Sequence, residues 1–424
     1  MNGQSPAPAR ASNRRILLAS LVGTTVEFYD FYIYSTAAAL IFGPLFFSSL
    51  SPQGQLLASW ASFGLAFLAR PLGAFAFGHF GDRVGRKSTL VASLMLMGGS
   101  TFAIAFLPTY ATAGWVAPLL LSLMRFGQGF GLGGEWGGAA LLAVENAPPG
   151  WRARFGMVPQ LGAPLGFIAA NGLFLILGLA LDADAFRAWG WRLPFLASAI
   201  LVLLGLWVRL KLTETQDFAR ALEAETPPRI PLAIIFARYA RETLAGTFAV
   251  VACFALYYIA TAFALGYGTT SLKIPRETFL GLQLGAILFM ALGIVLAGWW
   301  SDLRTPRYVL LIGCVGTLGC GLILAPLMGA GALLPMFAFL SLSLFAMGFV
   351  YGPLGAFLPD LFPPLVRYTG ASIAFNVGGI IGGALTPIAA QWLVDRGGIG
   401  LVGVYLSAAA LLSIAGLRLA RRNA

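Results

Sequence analysis

The chain has 424 residues, of which 58% are hydrophobic and 10% charged, with a mean hydropathy of +0.83. A soluble domain carries about 25% charged residues, so a water-solvated fold is excluded and a chain of many membrane spans is indicated. The net charge of +11 does not point to nucleic acid, because the bases are scattered through short loops and form no basic face.

The first residues, Met1 to Ala11, are polar and rich in Pro and Ala. The apolar run after them is too long for a signal-peptide core and contains acids, so it reads as a retained first span. Twelve apolar segments follow, centred near Tyr29, Ala66, Leu96, Gly129, Phe167, Leu201, Leu256, Leu288, Cys314, Met347, Gly378 and Leu411. The second ends in GHFGDRVGRK (Gly78 to Lys87), echoed 220 residues later by GWWSDLRTPR after the eighth. The fourth ends in ENAPPGWRARFG (Glu145 to Gly156), echoed 215 residues later by DLFPPLVRYTG after the tenth. Two unrelated motifs repeating at one offset imply a duplicated unit of half the chain, the architecture of carriers that rock one half against the other. The longest polar stretch separates six segments from six. The expected domains are a tail at 1–14, a six-helix bundle at 15–210, a linker at 211–241 and a second bundle at 242–421.

Lys and Arg set the orientation. Twenty fall on the side of both termini, five on the other (Arg187, Arg192, Lys273, Arg276, Arg396) and two within spans (Arg70, Arg125). That bias assigns the termini, the linker and all four motif copies to the cytoplasm. Cys253, Cys314 and Cys320 lie in apolar runs, which argues against a disulfide framework.

A charge at mid-bilayer costs at least about 2.5 kcal/mol, so such residues face a cavity and serve a purpose. Glu27 and Asp30 lie three residues apart in the first span, on one helix face and roughly 18 to 23 Å from Arg15 at 1.5 Å per residue. Arg125, on the fourth span, reaches a similar depth from the other side, and Glu135 lies about 15 Å beyond it on the same helix. Two close carboxylates in low dielectric do not both ionise cheaply, so Glu27 and Asp30 are expected to carry protons. Arg125 suits an anionic substrate; it would alternatively neutralise one of the two acids and lock the first helix to the fourth. Glu135 stands between a proton path and a structural partner.

Aromatics crowd the first span. They read either as a cage for a quaternary ammonium or as helix packing, with Tyr29 and Tyr32 the stronger ligand candidates. Gln128, Asn171, Tyr257, Tyr258 and Asn376 are also polar and mid-span; each either contacts substrate or bonds a neighbouring helix. The glycine run from Gly127 to Gly138, Gly134 included, lies in an apolar span and lets helices approach, and is not a phosphate cradle.

The twelve spans and the GHFGDRVGRK run with its echo resemble the major facilitator superfamily. VEFYDFYIY in the first span, RFGQGFGLGGEWGGAALLAVENAPP in the fourth, PQLGAPLGFIAANG in the fifth and PDLFPPLVRYTGAS after the tenth resemble its metabolite:proton symporter subfamily. The resemblance covers essentially the whole chain. It implies an all-α fold of twelve transmembrane helices in two pseudo-symmetric six-helix bundles. It also implies traffic in organic acids such as shikimate, citrate and 2-oxoglutarate, or in osmolytes such as proline and betaine.

The motif charges are expected to form a cytoplasmic gate, present only when that side is shut. Asp82 with Arg83, Arg86 and Lys87 would pair across to Glu145, Arg152 or Arg154, and Asp302, Arg304, Arg307, Asp360 and Arg367 would do the same in the other half. The second copy has Thr305 and Pro306 where the family has a Gly and an Arg, so its latch is expected to be the weaker. His79 is the only histidine, a pH sensor or a variable motif position.

Enzyme chemistry lacks parts: one His, no loop Cys and no clustered acids facing solvent assemble neither a metal site nor a nucleophile triad. The expectation is a monomeric, cofactor-free inner-membrane carrier that imports a small polar metabolite with protons by alternating access, an organic acid before a zwitterionic osmolyte. The alternatives are a proton-driven efflux antiporter and, outside transport, a membrane receptor.

Overall fold

In a bilayer the backbone's polar groups find partners only within helices or closed barrels. The computed structural model describes residues 10–84, 86–133, 135–210, 231–363 and 366–420, and these form helices joined by short turns, with no strand among them. Twelve crossings follow in order: α1 (Arg10–Leu40), α2 (Pro52–Val84), α3 (Arg86–Ile104), α4 (Val116–Leu132 continued by Glu135–Glu145), α5 (Arg152–Gln160 continued by Gly162–Ala180) and α6 (Leu193–Leu210). The second set is α7 (Ala240–Tyr258, a π segment Ile259–Phe263, then Ala264–Thr270), α8 (Arg276–Leu303), α9 (Pro306–Met328), α10 (Leu333–Tyr351 and Leu354–Asp360), α11 (Arg367–Gly379, a π segment Ile380–Ala384, then Leu385–Gly397) and α12 (Ile399–Leu419). Ten crossings are long and apolar enough to span a membrane as continuous described helices; α3 is apolar over Val91–Ile104, and α4 is described in two pieces.

Each helix pairing recurs six helices later. α1 packs on α5 as α7 packs on α11; α2 on α4 as α8 on α10; α3 on α6 as α9 on α12. This is the two-bundle duplication that the repeated motifs imply. Twelve crossings return the described ends, Arg10 and Ala420, to one face of the bundle, called here the terminal face.

Glycines set the closest crossings. A Cβ on Gly129 of α4 would lie 2.2 Å from the Ala66 carbonyl of α2, and one on Gly348 of α10 would lie 2.5 Å from the Gly293 backbone of α8. Backbone on both sides leaves nothing to move aside, which is how small residues hold membrane helices together. Gly348→Ala is therefore expected to lower the unfolding temperature of the solubilised protein, since overpacking costs about 1–3 kcal/mol. An unchanged melting temperature would show that α8 and α10 part freely.

The 211–230 part of the expected linker and Gly134 lie outside the described residues. The side chains of His79, Asp82, Arg83, Arg86 and Lys87 lie outside the described ones too.

Candidate functional site

Arg125 is wholly buried on α4. Its Nη1 donates to Gln128 Oε1 at 2.9 Å and its Nε to the Phe63 carbonyl at 3.4 Å, while Nη2 has no hydrogen-bond partner. The guanidinium carbon lies 4.4 Å from the Phe31 ring centroid, 4.1 Å from Tyr34 and 4.9 Å from Phe63. Among the described residues, no carboxylate lies within salt-bridge reach of it. The alternative in which Arg125 neutralises Glu27 or Asp30 directly is therefore not what the structure shows.

Asp30 is 1% exposed, and neither of its carboxylate oxygens closes a well-aligned hydrogen bond. The polar groups acting on it are the Thr101 hydroxyl of α3 and the Glu135 carboxylate. Thr101 accepts from Gln128 Nε2 at 2.6 Å, and Gln128 in turn accepts from Arg125. Thr101 donates its own proton to the Met97 carbonyl at 3.0 Å, so the hydrogen-bonded chain runs from Arg125 through Gln128 to Thr101 and ends beside Asp30 without bonding it. The Glu27 charge acts on Tyr351 of α10 in the other half, and the Glu135 charge acts on Asp30. Glu135 also accepts from the Ser93 hydroxyl at 3.0 Å.

The halves meet in the middle along an aromatic seam. Tyr32 stacks on Tyr257 of α7 with centroids 5.5 Å apart, and Phe31 lies 6.1 Å from Tyr258. The Tyr257 hydroxyl points toward those of Tyr32 and Thr261 without closing a well-aligned bond. Beside it, Tyr32, Thr36, Asn171, Thr261 and Gln283 line a gap with room for about one water. Asn171 accepts from the Thr36 hydroxyl at 2.5 Å and keeps an unpartnered Nδ2. Tyr29 is elsewhere: its hydroxyl donates to the Pro194 carbonyl of α6 at 2.8 Å, a helix-to-helix bond within one half. Asn376 crosses the halves, donating to the Gly133 carbonyl at 3.1 Å, next to Trp136 stacked on Phe375 at 3.8 Å.

At the terminal face Asp302 of α8 caps the start of α5. It accepts from the amides of Ala153 at 2.8 Å and Arg154 at 3.1 Å, with the Arg154 guanidinium 3.3 Å away. Arg152 pairs with Asp360 at 2.8 Å, half-exposed. So Arg152 and Arg154 meet the second motif copy, where the sequence reading set them against Asp82. In the second copy Thr305 accepts from the Tyr308 amide at 3.2 Å as the N-cap of α9, and Pro306 opens that helix. Arg367 donates to the Phe362 carbonyl at 3.3 Å, Arg304 is exposed beyond the end of α8, and Glu145 closes α4. At the opposite face, the Arg276 guanidinium of α8 sits 4.0 Å over Phe186 from the first half.

Comparison with known proteins agrees with this geometry. A family model described as "Sugar (and other) transporter" matches residues 16–225. The chain is 48% identical over 413 residues to the inner membrane metabolite transport protein YhjE of Escherichia coli K12, covering 96% of this chain and 94% of that one. The chain belongs to the major facilitator superfamily, among its metabolite transporters. The shikimate transporter of Escherichia coli K12 is 38% identical over 406 residues, covering 94% and 92%, and the proline/betaine transporter of Salmonella typhimurium 29% over 391 residues, covering 90% and 78%. The structure of the proton:xylose symporter XylE bound to 6-bromo-6-deoxy-D-glucose superposes with a TM-score of 0.73 over 96% of this chain and 95% of that one, at 17% identity, which speaks to fold. This transporter moves small molecules across a membrane and is not an enzyme.

Within the transporter, Arg125, Gln128 and Thr101 form one hydrogen-bonded group beside Asp30, and Tyr32, Asn171 and Tyr257 line the interface between the halves. Sequence reasoning missed Thr101, Gln283 and Arg70. Arg70 carried the signal that flagged Arg125, a charge inside a span. Thr101 and Gln283 carried none, since ordinary mid-span polar residues bond their own helix neighbours.

Proposed function

We propose that this transporter imports a small organic acid together with protons across the inner membrane, by alternating access between the two halves. The observation that carries it is Asp30: a buried carboxyl with no salt bridge to a described residue, beside the Thr101 end of a hydrogen-bonded chain that runs through Gln128 to an Arg125 with no counter-ion among the described residues. A carboxyl in that setting gains and loses a proton as its surroundings change, and an unpaired guanidinium fork suits a carboxylate. Glu135 extends the proton path toward the terminal face, and Glu27 senses the opposite half. Asp302, Arg154, Arg152 and Asp360 act as the latch that holds the terminal face shut while the other opens. The excess of basic residues at the terminal face supports a cytoplasmic assignment for both termini and for the linker. The protein acts as a monomer.

The experiment is a thermal-shift panel on purified protein with shikimate, citrate, 2-oxoglutarate, proline and betaine. A ligand at 100 times its Kd adds about 2.7 kcal/mol of stability. Stabilisation by an acid is expected; stabilisation by betaine or proline alone selects the second reading, a zwitterion carrier, which the aromatic seam of Tyr32, Tyr257 and Tyr258 favours. Arg125→Lys is expected to lose more than tenfold in affinity for the stabilising acid although the charge is kept, because the bidentate fork is gone. Normal binding by that variant would make Arg125 structural.

A further inference from the structure

We infer that Arg70 is a second anion-binding residue, and that Arg70 and Arg125 together clasp one acidic group of the substrate in the place that the Phe31 ring now fills. This rests on the organic-acid reading above and adds to it a residue and a moving part. The Arg70 guanidinium carbon lies 4.7 Å from the same Phe31 centroid that Arg125 approaches to 4.4 Å. The two carbons are therefore within about 9 Å of each other, the sum of those distances. Arg70 is 7% exposed, its Nε has no hydrogen-bond partner, and it makes no ion pair with a described residue; its other neighbour is the Phe67 ring at 4.8 Å. Its charge acts on Arg125.

Two buried like charges held side by side need compensation. Ring faces recover only part of the desolvation cost of a guanidinium. A carboxylate gripped by a guanidinium fork sits with its carbon about 4 Å from the guanidinium carbon, so two guanidiniums sharing one carboxylate are less than about 8 Å apart. The two guanidiniums, within about 9 Å of each other on one ring, are therefore close enough for one carboxylate to reach both. The ring is a stand-in for the anion: its π cloud attracts both guanidiniums when no acid is bound, and it leaves when one arrives. Phe31 follows Asp30 in sequence and touches Tyr258 of the other half. Displacing the ring therefore disturbs the seam between the halves at the moment the site fills, and couples occupancy to their movement.

The test is isothermal titration of the purified full chain with shikimate, succinate and glycine betaine at fixed salt and pH. Arg70→Gln is expected to weaken the best-binding carboxylate roughly 10- to 100-fold, as Arg125→Gln does. Arg70→Lys, which keeps the charge and guards against misfolding, is expected to recover only part of that affinity. Phe31→Ala is expected to tighten binding, because no ring has to be displaced; a purely structural role for Phe31 would weaken it. Undiminished binding in Arg70→Gln and Arg70→Lys overturns the clasp while leaving the organic-acid reading intact. Weaker binding in Phe31→Ala overturns the displacement. A wild-type protein that binds neither shikimate nor succinate overturns the organic-acid reading, and the clasp with it.

Discussion

Asp30→Asn is expected to abolish uphill uptake of substrate into proteoliposomes under an inward proton gradient, while exchange of internal for external substrate continues. Asparagine has the shape of a protonated aspartate and cannot release the proton. The Thr101, Gln128 and Arg125 connection is left in place, so the site still binds and the halves still rock. What is lost is the link to the gradient. A gradient of one pH unit is worth about 1.4 kcal/mol per proton, or tenfold accumulation, so wild type should approach a tenfold ratio and the variant should stop at one. Glu135→Gln removes the acid that acts on Asp30 and is expected to retain part of the accumulation. Tenfold accumulation in Asp30→Asn would show that the proton is carried elsewhere. Loss of exchange as well would make Asp30 a structural residue.

The fold was legible because hydropathy and a duplicated pair of motifs constrain it jointly: twelve apolar runs, split six and six, with one offset relating the halves. Depth along a helix was legible too, since 1.5 Å per residue is enough to bring Asp30 and Arg125 to the middle of the membrane. Contact was not. The first span shows that Glu27 and Asp30 are neighbours on a helix, but which neighbouring helix each one meets depends on how α3, α4 and α10 pack around α1. The ring faces of Phe31, Tyr34 and Phe63 that surround Arg125 come from two helices, and no spacing rule in the sequence joins them. The latch shows the same limit. Motif spacing placed Arg152, Arg154, Asp302 and Asp360 at one face, but their cross-half partnering is set by how α5 meets α8 and α10. Thr305 and Pro306 looked like losses against a family pattern; as a helix start they are a sound cap and first residue.

Asp302→Ala is expected to open the terminal face far more than Asp360→Ala. The Asp302 side chain is 6% exposed and is held by two amides at the start of α5 and by the Arg154 guanidinium. Hydrogen bonds to a charged group are worth roughly 1.5–3 kcal/mol each, and the helix N-terminus adds its dipole. A net loss of about 3 kcal/mol between closed and open states would shift their ratio by roughly 150-fold, since each 1.4 kcal/mol is tenfold. Arg152 and Asp360 are 43% and 49% exposed, and an ion pair in water of that kind is worth about 0–1 kcal/mol, a shift of a few-fold at most. Asp302→Asn should fall between, because an amide oxygen still accepts from one backbone N–H but carries no charge for Arg154 or the helix end. The measurement is double electron–electron resonance between spin labels on the two halves at the terminal face. Asp302→Ala should move most of the distance distribution to longer values and Asp360→Ala only a minor fraction. Equal shifts would mean that the exposed pair and the buried cap contribute alike, and an unshifted Asp302→Ala would remove the cap of α5 as the element that holds this face closed.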